Sequence, residues 1–139
     1  MWTKSYSKTV ENLDGSRVWR IWTDVNQWHT WQDDIEYAEL DGKFETGNVI
    51  RFKTKGGLAL KIELTEVKPG SLFVDLTRFP MARMYDSHEL IDHGGKLELK
   101  STIRIQGPLS FLWRKLVAEN VASGLKEQTD KLIEKSRDD

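Results

Sequence analysis

The sequence has no cysteine, no long apolar run and no excess of either charge. The lack of cysteine excludes disulfide bonds, thiol nucleophiles and thiolate metal sites. No apolar run approaches the roughly 18 residues of a membrane span, and the first ten residues lack the apolar core of a secretion signal. From these absences we expect a cytoplasmic protein without a membrane span.

Charge distribution and histidine spacing give no sign of a nucleic-acid-binding surface or of a helical metal motif. The 21 basic and 22 acidic residues are interspersed and give a net charge of −1, so there is no basic surface for nucleic acid. No pair of the three histidines has the spacing of a helical metal motif. We therefore expect no metal, no other cofactor and no nucleic-acid partner. The length predicts one domain over residues 1–139, while the oligomeric state stays open.

The N-terminal part of the chain predicts one strand and two short helices. An alternating segment is followed by turn and N-cap residues at positions 12–16. Apolar residues at helical spacing then predict a helix over about residues 15–24. A second short helix after Asn26 would place Trp28 and Trp31 on one face.

These helices carry four of the six tryptophans. We expect at least one of Trp19 and Trp22 to pack in the core, because large rings fix a short helix to a sheet. The second helix is very short and should bury its two indoles, those of Trp28 and Trp31, less deeply. One of these, Trp31 in particular, is therefore expected to reach a ligand, whereas His29 should point to solvent.

The middle of the chain, residues 35–106, has a period of two, which is typical of antiparallel strands with one covered face. Glycine-containing turns separate the strands and predict a meander. For the strand at 72–79 two faces remain possible, depending on a bulge near Glu66. The residues expected to face inward elsewhere are Ile50, Phe52, Leu58, Leu60, Ile62, Leu64, Leu97, Leu99, Ser101, Ile103 and Ile105.

The C-terminal part predicts one long helix. Gly107 and Pro108 end the strands, and helical periodicity runs from Leu109 to about Lys135. About 25 helical residues span roughly 38 Å, enough to cross the covered face of the sheet. Asn120 and Gly124 place small or polar side chains in the middle of this helix. Either they leave room for a ligand, or the glycine allows a kink or a close approach to the sheet.

Three segments in this order resemble the START-like or SRPBCC superfamily, and most closely its polyketide cyclase/dehydrase-type branch. They are VWRIWTDVNQWHTW, LDGKFETGNVIRFK and IQGPLSFLWRKLV. The resemblance implies an α+β helix-grip fold. In it, a curved antiparallel sheet of about six or seven strands wraps around a long C-terminal helix, with two short helices after the first strand. It also implies a deep, largely apolar cavity, but a fold alone does not name the ligand.

The hairpin near His93 predicts a polar group on the covered face. A two-residue turn at His93-Gly94 or at Gly94-Gly95 puts His88 and Asp86 on the same face as Ser101, whereas a three-residue loop reverses this. Buried polar groups among apolar walls orient a ligand or take part in catalysis. A histidine and a carboxylate so placed can transfer a proton, or His88 merely satisfies a buried hydrogen bond.

We expect the protein to bind a hydrophobic or aromatic small molecule, lipid-like or polyketide-like, in this cavity. The alternative is an enzyme of the cyclase, aromatase or dehydratase kind, with His88 and Asp86 as catalytic residues. A protein-interaction module would need an exposed apolar patch, which the alternating charged face does not indicate. The expected ligand-contacting residues are Trp28, Trp31, Phe52, Leu60, Ile62, Met84, Leu99, Ser101, Ile103, Asn120 and Gly124.

Overall fold

The computed structural model describes residues 1–137. Within them, seven strands form one sheet, and the helical elements lie after the first strand and after the last. The strands are β1 (Trp2–Glu11), β2 (Ile35–Leu40), β3 (Val49–Thr54), β4 (Ala59–Lys68), β5 (Leu72–Phe79), β6 (Ala82–Asp92) and β7 (Lys96–Gln106). The helical elements are α1 (Gly15–Thr23), a 3₁₀ helix (Val25–Thr30), α2 (Ser110–Trp113), a π-helical turn (Arg114–Ala118), α3 (Glu119–Ser123) and α4 (Leu125–Arg137).

The sheet is an antiparallel meander with order β1-β7-β6-β5-β4-β3-β2. Each strand from β2 to β7 pairs with the next along the chain, because the connections are short enough for hairpins. Strand β1 joins at the far edge by pairing with β7. The sheet is curved, and the helical segment that starts at Ser110, named here the C-terminal helical segment, lies on its covered face. The predicted helix-grip architecture is confirmed.

The two short helices begin and end close to where the sequence predicts. Asp14 caps α1, since its Oδ1 accepts a hydrogen bond from the backbone N–H of Ser16 at 3.0 Å. Trp22 is buried, as expected for this helix, and His29 is exposed. The expectation that the second helix buries its indoles less deeply is wrong. Trp28 and Trp31 are only 9% and 7% exposed, because the 3₁₀ helix packs against β2 and the sheet rather than lying on the surface.

The β6–β7 hairpin turns at Gly94-Gly95, the second of the two possibilities. Both glycines have positive φ, 71° and 100°, as a tight turn that continues the strand twist requires. His88 therefore pairs with Ser101. The predicted face is confirmed, because the alternate residues of β7 are all buried. These are Leu97, Leu99, Ser101, Ile103 and Ile105.

A bulge decides which face of β5 is covered. The register between β4 and β5 shifts between Leu64 and Glu66. As a result Phe73, Asp75 and Thr77 are buried on the covered face. The sequence left this choice open, because one extra residue in a strand reverses the direction of every side chain that follows.

The C-terminal helical segment is long, as predicted, but it is irregular at two places. A π-helical turn follows α2, and the chain forms a tighter turn at Gly124, whose N–H donates to the carbonyl of Val121 at 3.1 Å. Two of the predicted alternatives for Gly124 thus occur together, since the helix is interrupted there and the residue also lies beside a cavity. None of the helices within residues 1–137 is long and apolar enough to cross a membrane.

Candidate functional site

A cavity of about 470 Å³ lies between the sheet and the C-terminal helical segment. Strands β3 and β4 form one wall, α3 and α4 form the opposite wall, and Asp86 of β6 lies in its lining. Apolar and polar groups contribute about equally to the wall. The apolar lining residues are Phe52, Leu58, Leu60, Leu116, Val117, Val121 and Leu125.

Five residues proposed from the sequence line this cavity, namely Phe52, Leu60, Asp86, Asn120 and Gly124. They come together because β3, β4 and β6 present alternate residues to the covered face, and because the interruption at Gly124 leaves a gap beneath the helix. Asn120 is exposed toward this gap rather than packed. These positions agree with the expected ligand-binding role without testing it.

The other residues proposed from the sequence do not line the cavity. They are buried in the packed interior, where neighbouring side chains fill the space around them. Their inward orientation follows from strand or helix periodicity, but periodicity does not distinguish a cavity wall from solid core. These residues are Trp28, Trp31, Ile62, Met84, His88, Leu99, Ser101 and Ile103.

Sequence reasoning missed several residues of the cavity. Gln32 and Gln128 bridge the segment after the 3₁₀ helix to α4, with Gln128 Nε2 donating to Gln32 Oε1 at 3.2 Å. Leu58 was expected to face inward within β4. It lies instead in the turn before β4, largely exposed, beside Leu116 in the cavity lining. No pattern in the sequence connects these four residues, because they come from three distant segments.

The cavity also carries acidic groups in its lining. Asp33, Asp34 and Glu127 are accompanied there by one cation, Lys131. Lys131 Nζ lies 3.1 Å from an oxygen of Asp33 and 3.2 Å from one of Glu127. These groups are partly or largely exposed, so their attraction is weakened by water.

A buried polar cluster lies on the covered face of the sheet beside the cavity. Asp75 of β5 is directly opposite Asp86 of β6, and His88 of β6 is directly opposite Ser101 of β7. The side chains of His88 and Ser101 share a hydrogen bond, with Nδ1 and Oγ 2.9 Å apart. His88 Nε2 lies 3.0 Å from Asp86 Oδ1. Of these four residues, only Asp86 belongs to the cavity lining.

Two aromatic rings pack against His88. Its imidazole centroid lies 4.6 Å from the ring of Phe73 and 5.0 Å from the indole of Trp22. The imidazole is therefore buried beside α1 and outside the cavity lining, with the lining residue Asp86 3.0 Å from its Nε2. The hypothesis that His88 itself faces a ligand is not supported by this position.

Asp75 is the most deeply buried carboxyl group of the cluster, with 6% of the residue exposed. Burial raises the pKa of its carboxyl group well above the ordinary value, and the charge of Asp86 raises this pKa further. The side chain makes no hydrogen bond to the described residues. Asp75 was not among the residues proposed from the sequence, because its direction depends on the bulge in β4.

The same cluster has the composition of a possible metal site. One ligand atom each from Asp75, Asp86 and His88 lies within 4.8 Å of the others. Carboxylate oxygen and imidazole nitrogen are common ligands of divalent cations. The arrangement can therefore hold either a proton shared between carboxyl groups or a cation.

Comparison with known proteins shows similarity in structure only. No protein-family model and no curated protein matches the sequence. The structure of a hypothetical protein from Helicobacter pylori has a TM-score of 0.76 and 15% identity, covering 98% of this chain and 88% of that chain. Norcoclaurine synthase from Thalictrum flavum, in complex with dopamine and hydroxybenzaldehyde, has a TM-score of 0.69 and 14% identity, covering 96% and 86%.

A third similar structure is the di-domain ARO/CYC BexL of the BE-7585A biosynthetic pathway. It has a TM-score of 0.72 and 13% identity. The match covers 99% of this chain and 51% of BexL. At these identities the similarity shows the fold alone, and that fold is the helix-grip fold that the sequence segments predict.

Proposed function

We propose that the protein binds a hydrophobic or aromatic small molecule in the cavity between the sheet and the C-terminal helical segment. The observation that carries this proposal is the cavity itself, whose volume of about 470 Å³ lies within the range of small-molecule sites. About half of its wall consists of aliphatic and aromatic side chains, and the other half is polar, with Asp86 reaching it from the sheet and Asn120 and Gln128 from the helices. Such a wall favours a ligand with an apolar body and polar groups that fix its orientation.

The similar structures support the same class of ligand. The norcoclaurine synthase structure contains dopamine and hydroxybenzaldehyde, which are small aromatic molecules. BexL is an ARO/CYC protein of a biosynthetic pathway. Since the fold is shared, the space under its long helix is a reasonable place for a ligand in this chain as well. In this proposal, residues 1–139 act as one ligand-binding domain.

Filling the cavity tests the proposal. Gly124 has right-handed helical backbone angles, and a Cβ there would meet nothing closer than 3.5 Å, so a larger side chain can be added without backbone strain. Gly124→Leu should weaken binding of the neutral fluorescent probe N-phenyl-1-naphthylamine by about tenfold or more, because the leucine occupies ligand space. The matched control is Glu134→Leu, which adds leucine to an exposed position of α4 outside the lining.

Equal binding by Gly124→Leu and the parent protein would contradict the cavity proposal. Weaker binding by Glu134→Leu as well would point to a surface site on the helix. Native mass spectrometry of protein purified from its own host identifies the natural ligand, because a molecule held in a cavity survives gentle ionisation.

A second candidate function is proton transfer on the bound molecule, as in a cyclase or dehydratase. The specific observation that favours it is Asp86, which lines the cavity with the Asp75 carboxyl group opposite and His88 Nε2 at 3.0 Å. A carboxylate so placed can remove a proton next to a carbonyl group. In this role Asp86 is the catalytic residue, while His88 and Asp75 act through it as positioning residues.

Deuterium exchange tests this second function without knowledge of the substrate. If Asp86 acts as a base, the protein should accelerate α-proton exchange of an aromatic ketone such as 2-tetralone in heavy water. Asp86→Asn should remove the acceleration, and His88→Gln should shift its pH profile. Retention of the full exchange rate by Asp86→Asn would exclude Asp86 as the base.

A further inference from the structure

The cluster of Asp75, Asp86 and His88 presents a set of metal ligands on one face of two neighbouring strands. Asp75 and Asp86 are cross-strand partners, and His88 follows Asp86 by two residues, so strand periodicity directs all three to the same side. One oxygen or nitrogen atom from each lies within 4.8 Å of the others. Two carboxylates and one imidazole suit first-row divalent cations such as Zn²⁺.

Among the residues that the structure describes, two acceptor groups of the cluster have no hydrogen-bond donor. Asp86 Oδ1 is buried and makes no hydrogen bond within residues 1–137, although His88 Nε2 is 3.0 Å away. The two atoms are close, but they are not aligned for a hydrogen bond, which leaves both available to a third atom. Asp75, at 6% exposure, makes no hydrogen bond either. Buried polar groups normally have hydrogen-bond partners or bind an ion, so these carboxyl oxygens are candidates for binding an ion.

Within residues 1–137, no lysine or arginine pairs with either carboxyl group of the cluster, Asp75 or Asp86, and His88 is the nearest basic group. Charges that are buried in a protein are paired or coordinate metal ions. A divalent cation would neutralise both carboxylates at once.

Ser101 holds His88 in the orientation that a ligand needs. The Ser101 hydroxyl lies 2.9 Å from Nδ1. In the tautomer that carries its proton on Nδ1, the hydroxyl accepts that proton and the Nε2 lone pair is directed at the carboxyl groups. Phe73 and Trp22 restrict the imidazole on its other sides. Metal-bound histidines are commonly fixed through their other nitrogen in this way.

We propose that Asp75, Asp86 and His88 bind one divalent transition-metal ion. Asp86 also lines the cavity, so the ion reaches the cluster from that side. Three protein ligands leave a coordination position open, and a polar atom of a molecule in the cavity can occupy it. This inference does not rest on the proposed binding of an apolar ligand, because the three residues lie together whether or not the cavity is filled.

Zinc titration of the protein after removal of bound metal with EDTA tests the proposal. Calorimetry should show one Zn²⁺ per chain, and the unfolding temperature should rise with Zn²⁺ concentration because the ion binds the folded state. Co²⁺ should give the visible absorption of a bound site with four or five ligands. Asp75→Asn and His88→Gln should each weaken Zn²⁺ binding by at least tenfold.

A surface pair provides the matched control. His93 Nε2 lies 2.8 Å from Glu98 Oε1 at an exposed position, so His93→Gln removes a histidine–carboxylate pair outside the cluster. It should leave Zn²⁺ binding unchanged. Ser101→Ala keeps all three ligands and should lower the affinity by roughly 10–100-fold. This variant therefore tests the site even if His88→Gln fails to fold.

The proposal is overturned if the metal-free protein takes up no stoichiometric Zn²⁺ or Co²⁺. It is also overturned if Asp75→Asn binds Zn²⁺ like the parent protein, or if His93→Gln abolishes binding. If the protein takes up neither ion, the two carboxyl groups share a proton instead of a metal ion. Probe binding in the cavity is measured separately, so failure of one proposal leaves the other testable.

Discussion

Asp75 and Asp86 lie directly opposite each other on β5 and β6, on the covered face of the sheet. Two carboxyl groups in this relationship repel each other when both are charged, and burial increases the cost. Natural proteins keep destabilising arrangements of this kind mainly at functional sites, where the same groups serve binding or catalysis. The pair lies where the cavity meets the sheet, so the cluster is the most informative place for substitutions.

The first prediction concerns pH. Because the pKa of Asp75 is raised in the folded state, the Asp75 carboxyl group keeps its proton to higher pH there than in the unfolded state. Asp86 and His88 lie beside this carboxyl group. The contribution of Asp75 to stability is therefore largest at low pH. It falls as pH rises from the ordinary carboxyl value of 3.8 through the folded pKa. Asp75→Asn carries no proton to lose.

In EDTA, the free energy of unfolding of Asp75→Asn minus that of the parent should therefore increase with pH and then level off. Urea denaturation from about pH 4 to about pH 8 measures this difference. Asp24→Asn is the control, because Asp24 is exposed and its side chain makes no capping hydrogen bond. A difference for Asp75→Asn that is independent of pH would contradict the prediction.

The second prediction concerns the aromatic core. Phe73 is 1% exposed, and its ring lies 5.4 Å from Trp22 and 5.0 Å from Phe44. Phe73→Ala should lower the free energy of unfolding by about 3–5 kcal/mol, because it leaves a cavity among these rings. Phe111 is 64% exposed, so Phe111→Ala should change stability by no more than about 0.5 kcal/mol. Chemical denaturation compares the two, and similar losses would show that Phe73 is not central to the core.

The third prediction separates a buried hydrogen bond from an exposed one. Ser101→Ala leaves His88 Nδ1 buried without its partner and should cost about 1–3 kcal/mol of stability. Ser5 Oγ forms a similar bond with Thr102 at 3.0 Å, but at an exposed position. Water can replace that bond, so Ser5→Ala should cost clearly less. The prediction fails if denaturation midpoints show equal losses for the two serines.

The fourth prediction compares two glycines. Gly124 has helical backbone angles and room for a Cβ, so Gly124→Ala should stabilise the protein by about 0.4–1 kcal/mol by restricting the unfolded chain. Gly107 has φ +118°, and a Cβ there would lie 2.7 Å from the carbonyl oxygen of Met81. Gly107→Ala should therefore destabilise the protein by more than about 1 kcal/mol. Thermal unfolding measures both, and a loss at Gly124 would show that its glycine is required.

Local patterns predicted most of the secondary structure. The alternation from Leu97 to Ile105 identified the covered face of β7, because every second side chain of a strand points to the same side. The glycines at 94 and 95 then placed His88 on that face. The expectation for Trp28 and Trp31 was wrong, since helix length says nothing about what packs on top of a helix.

The amino-acid sequence by itself determined the order of elements, the covered faces of most strands and the inward direction of His88 and Asp86. These features depend on periodicity and turn residues, which are local. Only the tertiary structure decided that Asp75 joins the cluster, that Asp86 rather than His88 meets the cavity, and that Gln32 and Gln128 close its wall. Those features depend on strand register and on contacts between distant segments, and a one-residue bulge in β4 is enough to change them.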